Sequence, residues 1–106
     1  MKPDYYERDL MTKSEFITEL ANSIDYLNHK EATIIVNTFF DAIADELIAG
    51  NKVELRGFGS FKAKERQART GRNPKTGEKV EVPPKKVPYF KPGKDLRLLV
   101  DEHAGD

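Results

Sequence analysis

The chain of 106 residues contains no cysteine and no tryptophan. Without thiols there is no disulfide and no thiolate metal site, and nothing asks for an oxidising compartment, so a reducing cytoplasm is the expected setting. Histidine is nearly absent too. His29 stands at the start of a predicted helix and His103 near the chain end, and neither has a base, nucleophile or ligand set around it in the sequence. Gly71 to Glu78 superficially looks like a phosphate loop, but the glycine spacing is wrong and Glu78 occupies the place of the lysine. No catalytic residue, metal, cofactor or small-molecule substrate is therefore expected. No run approaches the roughly 18 apolar residues of a membrane span, and Met1 to Arg8 has no apolar export segment, which predicts a soluble protein without a membrane partner.

Net charge is also missing, since 18 basic side chains balance 18 acidic ones. The zero is an average over two opposite regions. Residues 1 to 50 carry four Lys or Arg against ten Asp or Glu, a net of −6. Residues 51 to 97 carry fourteen against five, a net of +9, and residues 98 to 106 add −3. A basic face on a neutral chain is thus available, although a solvated charged surface explains the same counts.

Local signals divide the chain into helices followed by strands. Thr12-Lys13-Ser14-Glu15 is a capping box, and Phe16, Ile17, Leu20 and Ala21 follow on one helical face. Asn28-His29-Lys30-Glu31 repeats the start signal. The second helix carries Ala32, Ile35, Val36, Phe39, Phe40, Ile43, Ala44, Leu47 and Ile48, and Gly50-Asn51 ends it. That apolar stripe is wider than one short chain can cover, which predicts a subunit interface; a monomer core is the other reading.

Beyond Asn51 the period falls to two. Val53 to Arg56 and Lys62 to Gln67 alternate around a turn bearing Gly57-Phe58-Gly59. A polar stretch from about Arg69 to Gly77 predicts a flexible hairpin tip, and Val80 to Val82 begin the returning strand. Pro83-Pro84 removes two backbone donors, so this strand bends or lies at an edge before resuming over Lys86 to Phe90. Pro92 marks a helix start, with Leu96, Leu99 and Val100 at helical spacing. The fold class is α+β: two N-terminal helices, a three-stranded antiparallel sheet extended into a β-ribbon arm, and a short C-terminal helix.

The hairpin holds most of the basic charge. Lys62, Lys64, Arg66, Arg69, Arg72, Lys75 and Lys79 run up and around the tip, and Lys85, Lys86 and Lys91 come down the other side. Such a ribbon can follow a phosphate backbone or read a groove. An edge kept soluble by lysines explains the charges but not a proline set among arginine, lysine and asparagine at the tip.

Three segments carry a resemblance: Arg72-Asn73-Pro74-Lys75-Thr76-Gly77, Gly57-Phe58-Gly59-Ser60-Phe61, and Val87-Pro88-Tyr89-Phe90-Lys91-Pro92-Gly93-Lys94. They resemble the signature segments of the bacterial HU and integration host factor family, and along the chain all three occur in the family's order. The likeness covers about Met11 to Val100, with an arm over about residues 66 to 84. It leaves residues 1 to 10 as a flexible extension and 101 to 106 as a tail.

The resemblance implies an intertwined dimer whose two arms bend duplex DNA from the minor groove, located in the bacterial cytoplasm on the nucleoid. By position Pro74 is the intercalating residue, Arg72 and Asn73 line the groove, and Lys75 holds the tip on the backbone. Phosphate clamping falls to Lys62, Lys64, Arg66, Arg69, Lys79, Lys85, Lys86, Lys91 and Lys94, with Lys13 and the helix starts near Thr12 and Gly93 assisting. Phe58, Phe61 and Phe90, joined by Phe39, Phe40 and Leu47, are expected in the core or dimer interface. Val53-Glu54-Leu55-Arg56-Gly57-Phe58 leans toward the beta branch of integration host factor, where the residues in the places of Glu54 and Arg56 act in sequence-selective recognition. Three alternatives stay open: a homodimer that binds DNA without sequence preference, a heterodimer with an alpha-type subunit, and a protein-interaction adaptor that uses the basic hairpin without DNA.

Overall fold

The computed structural model describes residues 9–103, so the expected extension lies, through residue 8, outside the described residues, as does the end of the tail. The contacts divide the chain inside its second helix into two compact units, one up to Ala42 and one from Ile43 onward.

Helix α1 (Lys13–Ser23) and helix α2 (His29–Ile48) begin where the polar caps dictate. The Glu15 amide donates to Thr12 Oγ1 at 3.2 Å while the Thr12 amide donates to Glu15 Oε1 at 3.3 Å. At α2 the Glu31 amide donates to Asn28 Oδ1 at 2.8 Å, and the Asn28 amide donates to Glu31 Oε1 at 3.1 Å. Each reciprocal pair satisfies two of the donors that a helix start leaves open. At the other end of α2 the Asn51 amide donates to Glu46 O at 2.8 Å and the Gly50 amide to Leu47 O at 3.1 Å. Gly50 has φ +85°, so this is a Schellman stop that a side chain at that position would strain.

In the first unit Ile17, Ala32 and Val36 form the buried cluster, with Leu20, Ala21 and Leu27 packed on it. Apart from Leu27, in the connection between the helices, these lie on one face of each helix at helical spacing, as the apolar stripes predict. The stripe of α2 continues past what is covered: Phe39 and Phe40 are each 49% exposed and Ile48 is 81% exposed.

The second unit is built on antiparallel strands. Strand β1 (Val53–Leu55) turns at Gly57, φ +89°, into β2 (Gly59–Arg66), and the Phe58 amide donates to Leu55 O at 2.9 Å across that turn. Strands β3 (Arg69–Arg72) and β4 (Lys79–Val82) form a ribbon of their own. Strand β5 (Lys85–Pro92) returns beside β2, giving a sheet of order β1-β2-β5. The ladder of β2 and β5 stops at Arg66 opposite Lys85, and that of β3 and β4 begins at Arg69 opposite Val82. Gln67-Ala68 and Pro83-Pro84 therefore interrupt both strands at the same level. The prolines have no N–H with which to close this gap.

Three sequence expectations change. Arg69 to Arg72 form a paired strand rather than loop, because backbone pairing with Lys79 to Val82 needs no apolar alternation. Pro92 does not start the last helix but ends β5 opposite Gly59, and Gly93 is the N-cap of α3 (Lys94–Glu102). Helix α3 also runs through Asp101 and Glu102, which the sequence assigns to the tail.

Gly59 is the tightest point of the sheet. A Cβ built there lies 2.5 Å from Phe90 Cε1 and 2.6 Å from the Lys91 carbonyl oxygen, so only glycine lets β5 and its aromatic side chain approach. Gly59→Ala is expected to cost about 1–3 kcal/mol through overpacking. Gly77→Ala meets open space and is expected to cost about 1 kcal/mol from its positive φ alone. Urea unfolding of the two variants beside the parent measures both, and equal stabilities would show that β5 accommodates the methyl.

Candidate nucleic-acid interface

Strand register decides which cations can act together. On β2 and β5 the pairs Ser60–Lys91, Lys62–Tyr89, Lys64–Val87 and Arg66–Lys85 share one face, with Glu54 of β1 beside Ser60. Lys62, Lys64, Arg66, Lys85 and Lys91 therefore line a single basic face, as strand alternation predicts for the first three. Lys86 does not join them. It pairs with Glu65 on the opposite face, which carries Phe61, Phe90, Ala63 and Pro88. Adjacent strand residues face opposite sides, and the register of β5 on β2 decides that Lys85 and not Lys86 joins the basic face.

On the ribbon, Arg72 and Lys79 face each other on the side that also bears Thr70 and Glu81, while Arg69 lies with Val82 on the other side. Beyond this pair the tip is closed by its own hydrogen bonds. The Asn73 amide donates to Glu78 O at 2.8 Å and the Gly77 amide to Asn73 O at 2.7 Å. The Asn73 side chain accepts from the Lys75 amide at 2.9 Å, and Arg72 Nη1 donates to Gly77 O at 3.2 Å. The Glu78 amide donates to Thr76 Oγ1 at 3.3 Å, and Gly77 takes φ +75°. Pro74 and Lys75 are exposed at the crest of this loop. The flexible tip read from Gly, Pro and Asn content is thus a stapled turn. Asn73 serves it with its carbonyl oxygen and keeps the amide Nδ2 outward-capable as a donor.

A second group of charges gathers at the start of α3. The Gly93 amide donates to Phe58 O at 2.8 Å, which ties the helix start to the β1–β2 turn. The result is an open hollow lined by Lys52, Arg56, Lys91, Lys94, Arg97 and Glu54, with the backbone of Gly57 and Gly93. Glu54 and Arg56 line it together, as the sequence places them. Lys52 and Arg97 were not among the residues read from sequence. Arg97 stands one helical turn after Lys94, a spacing that puts them on one face, and this is the signal that finds it. Lys13 opens α1, in the other unit.

The aromatic residues fall into separate groups. Phe90 stacks with Phe61 at 4.7 Å between ring centroids and with Phe58 at 5.5 Å. Phe39 and Phe40 meet edge to face at 5.4 Å on α2. Leu47, half-buried, lines an apolar hollow with Ala44, Ile48, Ala63, Pro88 and the Lys86 stem. Among the described residues no group of His, Cys, Asp or Glu is placed to hold a metal, and no helix is long and apolar enough to cross a membrane.

A basic ribbon with a closed tip, a basic sheet face and a cationic hollow at a helix start together are the features of a nucleic-acid-binding protein. Residues 11–101 match the profile of the family described as bacterial DNA-binding protein, and the chain belongs to that family. Integration host factor subunit beta of Burkholderia mallei is 54% identical over 96 residues, covering 91% of this chain and 90% of the relative. The same subunit of Burkholderia pseudomallei matches to the same extent. Among solved structures, Anabaena HU in a cocrystal with DNA superposes with a TM-score of 0.79 and 41% identity, covering 85% of this chain and 97% of that one. HU from Thermotoga maritima gives 0.60 and 30%, covering 85% and 98%. The resemblance read from the three segments is therefore correct.

Asn73→Ala removes the acceptor for the Lys75 amide. Amide exchange at Lys75 and Gly77 is expected to accelerate while the melting temperature stays within error, since the loop is exposed. Unchanged exchange would show that the backbone bonds alone close the tip.

Proposed function

We propose that this chain is one subunit of a dimer that bends duplex DNA, with both ribbon arms entering the minor groove. The working domain is residues 11–100, with the arm over about residues 66–84 and appendages on either side. The observation that carries the reading is the stapled tip, which presents exposed Pro74 at the end of a ribbon whose Arg72 and Lys79 face one side. A proline ring wedged between base pairs replaces lost stacking and brings no unsatisfied N–H. Arg72 and Asn73 flank it in a groove that distinguishes mainly A·T from G·C and attracts arginine where it narrows. Lys75 holds the tip on the backbone.

Smooth bending of a site costs on the order of 1–10 kcal/mol, so contacts on the flanks must offset it. The basic sheet face and the hollow at α3 supply them: Lys62, Lys64, Arg66, Lys85 and Lys91 in the first, Lys52, Arg56, Lys94 and Arg97 in the second. Arg69 and Lys79 act on the ribbon, and Lys13 at the start of α1. Lys86, on the opposite sheet face, has a smaller part. Glu54 beside Arg56 supports sequence selectivity, and likeness to a beta subunit supports a heterodimer with an alpha-type partner. The exposed Phe39, Phe40 and Ile48 and the apolar hollow beside Leu47 are surface for that partner. The bacterial nucleoid in the cytoplasm is the site of action.

End-labelled duplexes of roughly 35 base pairs, rich in A·T or of random sequence, are titrated with the protein alone and with an alpha-type subunit. Energy transfer between the ends is expected to rise, more for particular sequences when the partner is present. Pro74→Ala is expected to reduce the bend while leaving dimerisation, measured by sedimentation, unchanged. Affinity is expected to fall with salt at a log–log slope of about −0.9 for each phosphate neutralised. Bending of every duplex by the protein alone points to an HU-like homodimer. A folded dimer that bends nothing with either partner would leave a protein-binding role for the hairpin.

A further inference from the structure

On the proposed basic face Tyr89 is the aromatic side chain among the cations. Tyr89 sits on the edge strand β5 directly opposite Lys62, and Lys64, two residues further along β2, is its diagonal neighbour. The Lys64 Nζ lies 3.6 Å from the centroid of the Tyr89 ring, well inside the range of a cation–π contact. Tyr89 is 39% exposed, and among the described residues no strand pairs with the outer edge of β5.

We propose that Tyr89 is a positioning residue for DNA binding, its ring holding the Lys64 ammonium on the basic face in readiness for a phosphate oxygen. The inference rests on the reading that this face meets the duplex backbone. An ammonium has three N–H donors, and a ring below it engages one side only, so donors remain directed away from the sheet. A lysine stem is otherwise free among many rotamers and loses that freedom when it docks. Held beforehand, it loses less, and the gain appears as affinity. The contact needs the ring face and not the hydroxyl, since the attraction comes from the ring quadrupole. Diagonal pairs across an antiparallel ladder lie within reach of aromatic and long side chains, so the register itself sets up the contact.

The test compares the intact parent chain, in its dimer, with Tyr89→Leu, Tyr89→Phe, Lys64→Gln and the Tyr89→Leu/Lys64→Gln double variant. Fluorescence anisotropy with a labelled duplex is measured across a salt series. Tyr89→Leu is expected to weaken binding about two- to five-fold, in line with an exposed cation–π contact. Tyr89→Phe is expected to bind as the parent does. Lys64→Gln is expected to flatten the log–log salt slope by about 0.9, and adding Tyr89→Leu to it is expected to change nothing more. In the free protein, the Lys64 side-chain protons should show an upfield ring-current shift that persists in Tyr89→Phe and is lost in Tyr89→Leu. A Tyr89→Leu protein that binds like the parent overturns the proposal, as does one that loses equally with and without Lys64. Tyr89→Phe as weak as Tyr89→Leu assigns the effect to the hydroxyl and overturns it too. A parent protein with the ring-current shift but no affinity for duplex overturns the functional reading first and this role with it.

Discussion

The structure depends on a shortage of enclosed apolar side chains. Ile17, Ala32, Val36 and Ile43 are the buried hydrophobic residues among those described, and no large side chain is fully enclosed. Each large apolar side chain taken fully out of water contributes about 1.5–3 kcal/mol, against a backbone ordering cost of about 1–2 kcal/mol per residue. Four buried residues, one of them an alanine, do not offset that cost. The exposed phenylalanines of α2 and the apolar hollow at Leu47 are apolar surface left uncovered within the chain, which is what the proposed second subunit would bury. In the proposed dimer, assembly and folding would be one problem, and stability would depend on concentration.

That shortage explains the economy elsewhere. With little core to fix the elements, their ends are fixed by hydrogen bonds: two reciprocal caps at Thr12 and Asn28, a Schellman stop at Gly50, and the Gly93 amide on the Phe58 carbonyl. The closed tip follows the same pattern, at the point with fewest neighbours. Five local bonds around Asn73 to Glu78 shape a loop that no packing holds.

Much of this was legible in the sequence because it is local. Capping boxes, helix-stopping glycine and period-two alternation each involve residues a few positions apart, and all appear where the residues predict. What was missed depends on register or on contacts distant in sequence. Strand β3 has too little apolar alternation to announce itself, with Gly71 in its middle. Which of Lys85 and Lys86 joins the basic face depends on the register of β5 against β2 after two prolines. Lys52 and Arg97 join the hollow because the β1–β2 turn and the start of α3, far apart in sequence, are tied together by the Gly93 amide on the Phe58 carbonyl. The Lys64–Tyr89 contact likewise exists only once β2 and β5 are aligned.

The break at Gln67-Ala68 and Pro83-Pro84 separates the ribbon's ladder from that of the sheet. Residues added in matched pairs beyond the break leave the ladder of β2 and β5 untouched. Because a strand repeats every two residues, inserting two on each side keeps Arg72 and Lys79 on their face and lengthens the reach by about 6.6 Å, whereas inserting one turns them over. Reach can therefore drift in evolution, or be set by an engineer, as a quantity separate from the subunit that carries it.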